Sequence, residues 1–133
     1  MHDSGRWREL GVTHWHLTVT EVETKSPTRF SRERWEQIEN TGYVGAVFDP
    51  AKALAWVTDQ RRSVLARTSD PDATARKAGL TDLEIAAETT WLMLTRTTSP
   101  AGGAISINES QSVEIYANPM TALACSKRHQ PEA

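Results

Sequence analysis

Cysteine is nearly missing from this chain, with Cys125 alone among 133 residues. A single thiol excludes an internal disulfide, so a core must hold the fold, and the pattern suits a reducing, cytoplasmic setting. Long apolar runs are missing as well, and Met1-His2-Asp3-Ser4-Gly5-Arg6 has no apolar stretch of the signal-peptide kind. No membrane association is expected. Charge of one sign is also lacking. Fifteen Lys+Arg against seventeen Asp+Glu give a formal net charge of -2, hence no bulk basic field, and nucleic acid is not an expected partner. No serine, cysteine or paired-carboxylate set stands out as catalytic. No cofactor motif is complete, so no cofactor is expected. What remains is one domain over residues 1–133, long enough to bury a core without staples.

The elements follow from periodicity. Thr13–Val22 alternates, with Trp15, Leu17 and Val19 on one face and His14, His16, Thr18 and Thr20 on the other, as in a strand. Ser31 caps a short helix carrying Trp35 and Ile38 inward, and Gly42 closes it where φ > 0 is favoured. Tyr43–Phe48 reads as a buried strand in which Gly45 marks a bulge or a close backbone approach. Asp49-Pro50 opens a helix to about Arg67, with Ala53, Leu54, Val57, Val64 and Leu65 as its apolar stripe. Ala73–Ala78 is a short helix ended by Gly79, and Thr81 with Glu84 has capping-box spacing.

Trp91–Thr97, Ala104–Asn108 and Val113–Ala117 read as three strands joined by Ser99-Pro100-Ala101-Gly102-Gly103 and by Glu109–Ser112. Thr81–Leu94 also fits one long helix. Asn118-Pro119 is expected to end the last strand, and Pro119–Ser126 to form a last helix bearing Leu123 and Cys125. Residues 1–12 read as an arm or a short helical turn, and 127–133 as a frayed tail. The sum is an α+β fold: a mainly antiparallel sheet with a C-terminal three-stranded meander and helices packed on one face.

Several groups of residues bear on function. His14-Trp15-His16 puts two imidazoles on one face of a strand, within reach of one metal ion. This trio resembles the HUH endonucleases. The resemblance implies a divalent metal on His14 and His16 and a nucleophilic tyrosine, Tyr43 or Tyr116, attacking a DNA phosphate. Without a third ligand near in sequence, the favoured expectation is two solvated histidines and no metal. Thr74–Glu88 has helix-turn-helix spacing, but Asp82, Glu84 and Glu88 on its second helix would repel phosphate. Arg61 falls on an apolar stripe with Arg62 beside it. Either a guanidinium clamps an anion, or its stem covers apolar surface while its head reaches water.

Five tryptophans outnumber the two tyrosines and two phenylalanines. Trp15, Trp35 and Trp91 fall on inward faces. Trp56 at a stripe edge and Trp7 in the arm are the candidate partner surface, since exposed tryptophan concentrates binding energy. The expected function is a small non-enzymatic protein-binding module of inhibitor, immunity or accessory type, with a protein partner. The alternative is a metal-dependent HUH-type phosphodiester enzyme using His14 and His16.

Overall fold

A computed structural model describes residues 2–23, 32–122 and 125. Among these, α1 spans Arg6–Glu9, β1 Val12–Glu23, α2 Arg32–Gly42, β2 Tyr43–Val47 and α3 Pro50–Ala66. They are followed by α4 Pro71–Ala78, α5 Leu83–Arg96, β3 Ala101–Ser106 and β4 Gln111–Thr121. The four strands form one antiparallel sheet in the order β2-β1-β4-β3. The fold is α+β, as the periodicities imply. No described helix is long and apolar enough to cross a membrane. Ser31 as a cap and residues 127–133 as a tail lie outside the described residues.

The helices start where short acceptors stand. Asp49 accepts from the Ala51 amide with Pro50 at the first turn, Asp70 accepts from Ala73, and Asp82 accepts from Glu84 and Ile85. Each satisfies amides that the helix itself leaves unpaired. The cap of α5 is thus Asp82 and not Thr81. Trp91–Thr97 is the end of this helix. Thr90, Trp91, Leu94 and Thr95 are its buried positions, a three-and-four spacing that packs one helical face. Thr90 and Thr95 return their hydroxyls to the carbonyls of Ala86 and Trp91, so β-branched residues sit there without an orphaned donor. The third member of the C-terminal antiparallel run is therefore β1, which pairs with β4 from Val12↔Thr121 to Glu23↔Gln111.

The β3–β4 hairpin is tightened by Asn108, whose Oδ1 accepts from the amides of Ser110 and Gln111. Gly102, at φ 138, lies so close to Ile115 that a Cβ would meet its carbonyl oxygen at 2.0 Å. Pro119 does not end β4, which continues to Thr121. Strand β3 reaches only Ala117, so beyond it no strand on that side calls for a donor.

Trp15, Leu17, Val113, Ile115 and Ala117 meet Ala53, Val57 and Val64 of α3 and Leu94 of α5 in the core. Helix α1 joins them: Trp7 is 5% exposed and its ring lies 5.1 Å from that of Trp15. The expected arm is part of the core.

One helix departs from the one-face expectation. While α3 and α5 cover the Trp15 face, α2 lies over the opposite, histidine-bearing face. Its Ile38 is fully buried there. Gly42 serves close approach and not a positive φ, since a Cβ on it would stand 2.3 Å from Thr20 Oγ1.

Candidate metal centre

The even-numbered residues of β1 and β4 face α2 in cross-strand rungs, His16↔Asn118, Thr18↔Tyr116 and Thr20↔Glu114. The face is polar, yet it is covered. His14 is 5% exposed and His16 2%, so the expected solvated pair is in fact buried. Helix α2 supplies partners along one side: Arg34 pairs with Glu114, Trp35 meets Tyr116 edge-on at 5.2 Å, and Glu39 reaches His16. Their four-residue steps put Trp35 and Glu39 on one helical face.

Each histidine has its Nδ1 tied to an oxygen. His16 Nδ1 is 2.7 Å from Glu39 Oε2, and His14 Nδ1 is 2.8 Å from Thr13 Oγ1. A carboxylate can only accept, so His16 carries its proton on Nδ1. The Thr13 hydroxyl also reaches the Met120 carbonyl at 3.4 Å, and when it donates there it accepts from His14 Nδ1. In that arrangement both histidines present an Nε2 lone pair, whereas a Thr13 hydroxyl donating to Nδ1 makes His14 Nε2–H a donor to His16. The two Nε2 atoms lie 3.3 Å apart.

Cys125 completes the group. Its amide bonds back to the carbonyl of Thr121. Its Sγ stands 3.3 Å from His16 Nε2, across 109 residues of sequence. The three ligand atoms all lie within 4.8 Å of one another.

A tetrahedral ion about 2.05 Å from two imidazole nitrogens holds them about 3.3 Å apart, and a thiolate about 3.5 Å from either. The nitrogen pair matches and the His16–Cys125 spacing is close, while Cys125 and His14 stand within 4.8 Å of each other. Charge also balances, because a divalent cation offsets the Cys125 thiolate and the Glu39 carboxylate, which suits a buried site. Asn118 fixes Glu39 in turn by donating from Nδ2 to Oε1 at 3.1 Å. Phe48 stacks on His14 and Tyr43 packs edge-on against His16, with ring centroids 5.2 and 5.1 Å away. Burial, then the nearby Glu39 and Cys125, push the Tyr43 phenol above its ordinary value. Tyr116 is pushed up to about 12, chiefly by burial and then by Glu114.

The other candidates are dispersed. Trp7 is in the core with its indole N–H on Asp3, so it offers no partner surface. Trp56 is half-buried against the core edge. Arg61 is 8% exposed and donates to Thr90 Oγ1 at 2.8 Å. Its head therefore joins α3 to α5, and desolvation lowers its pKa. Arg62 is exposed beside Asp59 at 3.9 Å. The structure does not bring these four together with the histidines. No family model matches the chain, and no curated protein or solved structure matches it.

Sequence reasoning found His14 and His16 but missed Cys125, Glu39 and Asn118. Cys125 stands four residues after the end of β4, and no local spacing announces its approach to His16. The helix expected over Pro119–Ser126 is strand as far as Thr121. Leu123 lies outside the described residues.

Proposed function

We propose that this chain is a metal-binding domain that holds one zinc-class divalent ion through His14 Nε2, His16 Nε2 and Cys125 Sγ. The observation that carries the reading is the pair of Nε2 atoms facing each other at 3.3 Å with both Nδ1 atoms already engaged. Two lone pairs at that distance repel unless a cation or a proton lies between them. Imidazole and thiolate together suit zinc better than magnesium or calcium, which take oxygen ligands. Glu39 supports the reading as the carboxylate that orients a metal-bound histidine. Among the described residues three ligands are at hand, and a centre with three protein ligands and one further position is the arrangement of a reactive zinc site. HUH-type chemistry would add a tyrosine nucleophile, and the raised pKa of Tyr43 gives that step no support. The protein-binding reading loses Trp7 to the core and keeps only half-buried Trp56.

One observation favours a second reading. Cys125, His16 and Glu39 form a file of thiol, imidazole and carboxylate at 3.3 and 2.7 Å, the order in which a base activates a nucleophilic thiol. His14 has no role in that file. Elemental analysis of the purified protein separates the two. One zinc-class ion per chain, lost in His14→Ala/His16→Ala, is expected, with alkylation of Cys125 slowed by zinc. A folded chain that takes up no zinc and alkylates at the same rate with or without it would overturn the metal reading in favour of the thiol.

A further inference from the structure

Beside the metal centre lies a cleft of about 240 Å³ walled by Trp35, Pro100, Pro119 and Met120, with Glu39 and Asn118 as its polar floor. The size is below that of pockets for drug-sized ligands and fits a molecule of a few heavy atoms.

The polar floor has a definite chemistry. Asn118 is 4% exposed, and its Nδ2 is spent on Glu39 and Thr18. Its Oδ1, buried, has no hydrogen-bond partner. A buried acceptor without a donor costs free energy, and a ligand seated where Asn118 lines the cleft recovers it once the side chain turns its covered Oδ1 toward the ligand. Glu39 adds a carboxylate, whose oxygens have lone pairs beyond those given to His16 and Asn118. Among the described residues the lining has one anionic and no cationic side chain. What it lacks is a donor with positive charge. An indole wall favours the same sign, because the face of a tryptophan ring attracts cations.

We infer that this cleft binds a small organic cation, a primary ammonium on a short apolar body. Its N–H groups donate to Asn118 Oδ1 and the Glu39 carboxylate, and its alkyl part lies against the proline and methionine walls. The inference needs no metal at His14 and His16, so it is tested on metal-free and zinc-treated protein alike.

The probe is n-butylammonium, with n-butanol and butyrate as neutral and anionic matches in shape. Binding is followed by the side-chain amide signal of Asn118 and the indole signal of Trp35. The expected result is saturable shifts at both, with n-butylammonium binding at least tenfold more tightly than n-butanol and butyrate giving none. Thr98 lines the cleft and is exposed, so Thr98→Arg should remove n-butylammonium binding while the chain stays folded. Trp35→Leu should weaken it tenfold or more. Equal binding of the alcohol or butyrate, an Asn118 amide that does not move at high probe concentration, or undiminished binding in Thr98→Arg would overturn the inference. A chain that binds the ammonium but no zinc would refute the metal reading alone.

Discussion

Replacing Glu39 by glutamine keeps the shape behind His16 and removes one acceptor. In the native protein Oε2 accepts from His16 Nδ1 at 2.7 Å and Oε1 accepts from Asn118 Nδ2 at 3.1 Å. A glutamine has one carbonyl for two donors. If the carbonyl faces His16, two amide groups meet at Asn118, and one hydrogen bond is lost at a buried position. That costs about 1–3 kcal/mol of stability. If the amide faces His16, it donates to Nδ1, and the proton moves to Nε2, the atom assigned to the metal. The second case removes the metal-competent tautomer, and the first holds it with a neutral acceptor in place of a carboxylate. Changes to a carboxylate behind a metal-bound histidine typically cost about 10–100-fold in metal affinity, or about 1.4–2.8 kcal/mol. Competition against a chromophoric chelator measures this directly, with a urea titration of the metal-free variant alongside. An unchanged zinc affinity in Glu39→Gln, with the fold intact, would refute the account of how His16 is held.

Three further outcomes follow from burial. Trp7→Ala should destabilise the domain by about 3–5 kcal/mol in urea, since it removes a buried ring packed on Trp15. Glu114→Lys should cost about 3 kcal/mol or more, because it sets a second cation against Arg34 at a buried position, and a neutral result would unseat α2 from this face. Phenolate absorbance should show a tyrosine titrating near pH 12, lost in Tyr116→Phe. Because its folded pKa lies above the unfolded value of about 10, Tyr116 stabilises fully below that pH, and its contribution falls as pH rises through about 12.

Much of the fold is legible in the residues, because the local signals agree with each other. Asp49-Pro50 and Gly79 mark helix ends where the structure has them, and the alternation of Trp15, Leu17 and Val19 defines the core face of β1. Trp91–Thr97 misleads because a short apolar run fits both periods, and only packing on α3 decides for helix. The far face of β1 misleads in a deeper way. Histidine and threonine at alternate positions describe a solvated surface equally well as a polar interior. A strand pattern shows which residues share a face but not whether a helix covers it. Because α2 does cover it, Glu114 and His16 become buried, and Glu39 and Cys125 come within reach from 23 and 109 residues away.

Cobalt(II) titration of the metal-free protein tests the central claim most directly. Cobalt takes the place of zinc in imidazole–thiolate sites and absorbs where zinc is silent. The account predicts a thiolate-to-cobalt charge-transfer band with the strong visible bands of a tetrahedral ion, saturating at one equivalent per chain. The charge-transfer band should vanish in Cys125→Ser, and all binding should vanish in His14→Ala/His16→Ala. A folded chain whose spectrum shows only hydrated cobalt, or binding that survives loss of both histidines, would contradict it.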